Sequence, residues 1–318
     1  MKNLYPLKLK PAVKEIIWGG DRLKTDYGKS APFEKLAESW ELTVRPDGMN
    51  VIENGEYAGM TLGDYLAPEL IGKGYSGDRF PLLIKFIDAR DKLSIQVHPS
   101  DEYALKNEGE YGKTEMWYIV EAEEGAELVF GLNDGYSKEA FDRAVENGTV
   151  ESLLRRVRVK PGDVYFIPSG LVHAIGAGIL ICEIQQNSNV TYRVYDYNRP
   201  GKDGKPRELH VAKAREVIVD YSPAQLETLR FSGRADLTPD LLATCDKFTV
   251  HKYEVSGELS LDVTEHSFVS LTFVSGDGEI IFGKDSYKFA KGDTYFLPAG
   301  LGEVKLSSES AVCIASEI

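Results

Sequence analysis

The sequence is expected to fold as a mainly β protein, built as two β-barrel domains with short helical insertions. Three observations carry that expectation. Apolar and polar residues alternate with a period of two in Glu38–Val44, Leu93–His98 and Asp163–Ile167. Segments with a helical period are few and short. A turn frame also occurs twice. Its first copy is Gly162, five residues, Pro168-x-Gly170, two residues and His173; Gly292, Pro298, Gly300 and Glu303 repeat it with the same spacing. Proline presets its own backbone and glycine tolerates positive φ, so each copy reads as strand, tight turn, strand.

The chain has 318 residues, 42% of them hydrophobic and 10% aromatic, enough to give two domains a core each. A net charge of -13 argues against nucleic acid or an anionic membrane as partner. It leaves room for a phosphorylated small molecule, because a few local basic residues can outweigh the global sign. Met1–Lys10 has no apolar signal core, and no apolar run is long enough to span a bilayer, so a cytoplasmic protein is expected. Cys182, Cys245 and Cys313 are odd in number and widely spaced, as buried reduced thiols are.

In chain order, Leu7–Val13 is extended and leads to a turn at Trp18-Gly19-Gly20. Thr61 to Asp64 resembles a capping box that opens a short helix through Leu70. Gly72–Asp78 is glycine-rich but lacks phosphate-loop spacing. Pro81–Asp88 is an apolar strand. In Lys92–His98 the period of two puts Ser94, Gln96 and His98 on one face. Pro99 ends that strand, and Ser100 caps a helix with two acids in its first turn. Lys113–Val120 is a strand with Lys113, Glu115 and Trp117 on one face. Ser137–Arg156 is helical, broken near Gly148. Ile179–Gln186 and Val190–Tyr197 form paired strands, and His210–Ile218 a helix. The polar run 232–239 marks a boundary, giving a metal-binding domain over 1–235 and a second over 236–318, the latter without ligands because Glu303 stands where His173 does.

Gln96, His98, Glu115 and His173 occupy strand positions that can converge. Two imidazoles, a carboxylate and an amide oxygen suit one divalent ion per chain, zinc above all. No thiolate is among them, so the bound ion keeps the positive charge that Lewis-acid chemistry needs.

The frame Gly162–His173 resembles the second motif of the cupin superfamily, whose domains are jelly-roll barrels. Together with Leu93–Pro99, Lys113–Trp117 and Asn189–Tyr197, the sequence resembles the type I mannose-6-phosphate isomerases in their short bacterial form, from about Tyr5 to the end. The resemblance implies that Gln96, His98, Glu115 and His173 hold the catalytic zinc and that Arg193 belongs to the active site. The stretch Pro99–Thr114 lies where the general cupin pattern is shorter. Ala177 stands where many cupins have asparagine. Arg193 sits in a context unlike that of the longer members, and their large helical insertion is absent.

The activity implied is interconversion of mannose 6-phosphate and fructose 6-phosphate through a cis-enediol-like intermediate, by a monomer or homodimer. Zinc or Arg193 would stabilise charge on the sugar oxygens. Glu183, a metal-bound water and Lys113 are the candidates for general base. Lys113, Arg193, Ser94 and Trp18 are the expected substrate contacts, with Arg199 and Lys202 as further candidates for the phosphate. His210, His251 and His266 have no partner spacing and are expected to be structural. Another cupin metalloenzyme (an oxygenase or a related sugar-phosphate isomerase) and a non-catalytic sugar-binding cupin are the alternatives.

Overall fold

Alternation along the strands decides what faces the core. Ile95 and Val97 are buried against Phe141, Ala144, Tyr192, Val194 and Ala214, while Gln96 between them points the other way. Burying each such aliphatic side chain contributes roughly 1.5–3 kcal/mol. In the computed structural model, which describes residues 2–201, 204–230 and 240–318, this pattern repeats along a five-stranded sheet. Its order is Leu154–Arg158, Glu127–Leu132, His173–Ile175, Ile95–Val97, Tyr192–Tyr195. One face carries Val129, Ala174, Ile95, Val97, Tyr192 and Val194 and packs with the helices Lys138–Glu146 and Val211–Val217. The other carries His173, Gln96 and Arg193, which lie opposite one another in register. Val164–Ile167, Glu115–Ala122 and Ile179–Gln186 form a second antiparallel layer, with Glu115 opposite Ile167 and Gln185, and Trp117 opposite Glu183.

The chain divides into two compact units. One comprises Met1–Glu15, Asp21–Phe86 and Ala235–Ile318; the other comprises Ile16–Gly20 and Ile87–Arg234 and holds the strands just described. The expected single cut after residue 235 gave all the N-terminal strands to the metal-binding half. Leu7–Lys10 pairs instead with Thr294–Leu297, Leu7 lying opposite Phe296, and with Val51–Ile52. The boundary run 232–239 and Lys202 lie outside the described residues. The first unit has its own core, including Leu271, Phe273, Ile280, Phe289 and Leu306.

Helices are short, as expected, and three elements differ from the sequence reading. Thr61 accepts the Asp64 N–H as a cap, but Leu62–Tyr65 and Pro68–Ile71 are separate helices, since the residue before a proline avoids helical backbone. Ser137 caps Lys138–Glu146, which stops before Gly148 at φ 66°; Val150–Leu153 is a 3-10 turn and Leu154–Arg158 a strand. Strand Ile95–Val97 is shorter than its alternating pattern. No helix among the described residues is long and apolar enough to cross a membrane. The cysteines are free, with Cys182 and Cys313 buried.

The two copies of the turn frame have one geometry. Gly162 and Gly170 have φ 89° and 87°, Gly292 and Gly300 93° and 76°. Asp163 Oδ2 accepts the Lys160 N–H at 3.0 Å, and Asp293 Oδ2 the Ala290 N–H at 2.9 Å. Leu171 and Leu301 each donate back to the proline carbonyl, at 3.2 and 3.1 Å. The copies part at their last residue: His173 is buried and Glu303 is exposed.

Candidate metal centre and active site

The two facing layers bring His173 from one strand to Glu115 on another. His173 Nε2 lies 3.3 Å from Glu115 Oε1 and 3.2 Å from His98 Nε2, and His98 Nε2 lies 3.7 Å from Glu115 Oε2. All three side chains are buried, and their ligand atoms lie within 4.8 Å of one another. Two backbone carbonyls set the imidazoles. His98 Nδ1 lies 2.9 Å from Val190 O, and His173 Nδ1 2.8 Å from Leu171 O. A carbonyl can only accept, so each Nδ1 carries the proton and donates it, which leaves both Nε2 lone pairs aimed at one point. Two lone pairs and a carboxylate at this spacing could hold a cation among them, and metal-ligating histidines are oriented in this way. Burial pushes the His173 imidazole down to about 4, against a smaller opposing effect of the Leu171 carbonyl, so it stays neutral and ready to ligate at neutral pH.

Gln96 joins the group, with its side-chain amide 3.3 Å from His173 Nε2. A half-turn of the amide presents oxygen in place of nitrogen without changing its shape. The structure thus brings all four expected ligands together, and the donor set fits a borderline divalent ion.

Lys113 and Glu183 lie alongside. Lys113 Nζ is 2.8 Å from Glu115 Oε2 and 3.8 Å from Glu183 Oε1. The stretch that carries Lys113 is clamped. Its own N–H donates to Pro99 O, the Gly112 N–H to Asp101 Oδ1, and the Thr114 N–H to Gln186 Oε1, while the Gln186 amide donates to Asp101. Two carboxylates against one ammonium leave a single negative charge, so a divalent ion makes the site net positive. Such a field suits an anionic substrate or an oxyanion.

Arg193 shares the Gln96 face, directly opposite it in register. Its Nη1 donates to Glu208 O at 2.8 Å, and its backbone N–H donates to His210 Nδ1 at 3.2 Å. Burial, then the Arg193 charge, lowers the pKa of His210. Ser94 is buried two residues before Gln96. Trp18 is buried at 3% exposure; its carbonyl accepts the Asp91 N–H, and its neighbour Gly19 bridges Ala89. Arg199, a further candidate for the phosphate, already has protein partners. It donates to Asp196 Oδ1 and Lys92 O, both at 2.6 Å, and Arg207 grips the same carboxylate. Burial raises the Asp196 carboxyl, but Arg207 and Arg199 outweigh it and hold it below its ordinary value.

Sequence reasoning gave no role to Trp117, although its place on the Lys113–Glu115 face was visible. Its indole N–H donates to Glu183 Oε2 at 2.9 Å, and its ring meets that of His173 edge-on at 5.4 Å. The Asp101–Gln186 clamp was also missed. It joins residues 85 apart, and no local pattern reports such a pair.

Comparison with known proteins supplies the family. Residues 6–142 match the description "Phosphomannose isomerase type I, catalytic domain", and residues 240–317 match "Mannose-6-phosphate isomerase, cupin domain". The chain is 45% identical over 316 residues to mannose-6-phosphate isomerase ManA of Bacillus subtilis (strain 168), covering 98% of this chain and 99% of that protein. A crystal structure of the mannose 6-phosphate isomerase from Bacillus subtilis superposes with a TM-score of 0.88 at 37% identity, over 98% of this chain and 99% of that one. A mannose 6-phosphate isomerase bound with zinc and yttrium shares the fold at a TM-score of 0.75 and 16% identity, over 98% of each chain. With two matched family descriptions and a near full-length relative at that identity, the chain belongs to the type I phosphomannose isomerases of cupin fold.

Proposed function

We propose that this chain interconverts mannose 6-phosphate and fructose 6-phosphate. The observation that carries the reading is the convergence of His98, His173 and Glu115 with Lys113 and Glu183 beside them. Gln96, His98, Glu115 and His173 would hold zinc, which would supply positive charge to stabilise the sugar oxygens that exchange roles. The unit that contains Ile87–Arg234 is the catalytic one, and the unit ending at Ile318 is structural.

Isomerisation moves a proton between C2 and C1, so a base must take it from one carbon and return it to the other. Lys113 lies between two carboxylates and acts as the ammonium of the site, steadying negative charge on the sugar oxygens. Glu183, buried and held on one oxygen by Trp117, is the base. Arg193, on the Gln96 face, contacts the phosphorylated sugar with its guanidinium. Ser94 and Trp18 line the sugar site.

The test is coupled conversion of mannose 6-phosphate to fructose 6-phosphate by protein as purified, after chelation, and after zinc is restored. Turnover that disappears on chelation and returns with zinc is expected. A zinc-loaded protein that binds the sugar phosphate without converting it overturns the proposal.

A further inference from the structure

We propose that Trp117 is a positioning residue for the reaction, acting through Glu183 by way of its indole N–H. The inference rests on the reading of Glu183 as the base. Trp117 is fully buried, and a buried indole N–H requires an acceptor. The one it has is a site carboxylate, Glu183 Oε2, at 2.9 Å. Register explains the pairing, because Trp117 and Glu183 are directly opposite on neighbouring antiparallel strands and so project from the same face.

The consequence is directional. With Oε2 tied to the indole, the carboxylate cannot spin about its last torsion, and Oε1 is the oxygen turned toward Lys113 at 3.8 Å. A base that must reach two adjacent carbons gains from a fixed orientation, and small misplacements cost rate steeply. The edge-on contact with His173, 5.4 Å between ring centres, uses the ring and not the nitrogen. Shrinking so large a buried side chain would also leave a cavity, so the nitrogen is tested separately from the volume below. The N–H is what the position adds.

The experiment is a double-mutant cycle on the zinc-loaded enzyme with Trp117→Phe, Glu183→Gln and both together. Glu183→Gln should lower kcat by about a hundredfold or more. Trp117→Phe should lower kcat about tenfold, with KM for mannose 6-phosphate within about twofold and zinc stoichiometry unchanged. In the Glu183→Gln background, adding Trp117→Phe should change kcat by less than about twofold, because the group it positions is gone. If the phenylalanine variant folds poorly, benzothienylalanine at position 117 replaces N–H by sulfur at nearly constant shape, and the same tenfold loss is expected. Wild-type kcat in the Trp117 variants beside a large loss in Glu183→Gln overturns the role of Trp117 and leaves the proposed reaction standing. Losses that multiply in the double variant show a merely structural tryptophan and overturn it too. Full kcat in Glu183→Gln overturns the assignment of Glu183, and the inference with it.

Discussion

Replacing His173 by alanine separates the metal's energetics from the fold's. In the proposed four-ligand site the binding free energy of a protein zinc site, about 10–16 kcal/mol, gives an even share of about 2.5–4 kcal/mol per ligand. Losing one should weaken zinc binding by about 10²–10³-fold. The same residue governs how the metal-free protein responds to acid. The His173 imidazole sits at about 4 in the folded chain because it is buried, against an ordinary 6.5. Between those values the folded state binds fewer protons than the unfolded one. The stability of the metal-free protein is therefore full above the ordinary value and falls as pH drops through the window. The gap corresponds to roughly 3 kcal/mol, most of it lost by pH 4.5. Alanine leaves a cavity that costs about 2–4 kcal/mol, but equally at every pH. Urea unfolding of metal-free wild type and variant at pH 7.5 and 4.5 cancels that cost in the comparison of slopes. The wild type should lose roughly 2–3 kcal/mol more than the variant across the interval. Parallel slopes, or a variant that binds zinc as tightly as wild type by competition with a chromophoric chelator, would refute the reasoning.

Three further outcomes are expected. Lys113→Met removes the ammonium beside the buried Glu115, so the metal-free protein should lose about 3–5 kcal/mol. Zinc should restore more stability to that variant than to wild type in calorimetry, while kcat falls by about 10²–10³-fold in the coupled assay. Glu41 is fully buried with Lys29 at 2.7 Å and accepts from Ser39 and Thr294. Glu41→Gln leaves Lys29 short of its counter-charge and should cost about 3–5 kcal/mol in chemical unfolding, with kcat of the folded enzyme unchanged. Gly170→Ala and Gly300→Ala both place a side chain at positive φ, which costs about 1 kcal/mol or more. A Cβ at 170 meets Val219 Cγ2 at 2.5 Å, whereas at 300 its nearest neighbour is Glu265 Cγ at 3.5 Å. The alanine at 170 should therefore be the more destabilising by thermal unfolding, and equal shifts would contradict that reading.

What was legible in the sequence followed from periods. Ser94, Gln96 and His98 share a face by alternation, as do Lys113, Glu115 and Trp117, and in the structure Gln96 meets His173 while His98 meets both His173 and Glu115. What was hidden involves partners distant along the chain. Leu7–Lys10 reads as an ordinary strand, and nothing in four residues says that it pairs with Thr294–Leu297. The same blindness applies to Asp101 with Gln186 and to Asp196 with Arg207, each an ordinary surface residue type until tertiary structure pairs it. Arg199, a candidate for the phosphate, has partners of the same hidden kind, since Asp196 and Lys92 O hold its guanidinium.

The repeated turn shows where function enters such a scaffold. Both copies have positive φ at both glycines, the same aspartate-to-backbone bond and the same return bond to the proline carbonyl. Gly-x5-Pro-x-Gly is therefore a statement about backbone geometry, and an identical statement in each unit. The residue that ends it is free to vary, and it is exposed glutamate in one copy and buried histidine in the other. Even the histidine is not sufficient. Its Nε2 is aimed because Leu171 O takes the proton on Nδ1, and Val190 O does the same for His98. Backbone carbonyls are present at every residue, so sequence cannot say which of them face an imidazole. The turn supplies a rigid place for His173, and those two carbonyls aim the Nε2 atoms of a buried histidine pair at one point, the orientation that a pair of ligands would require.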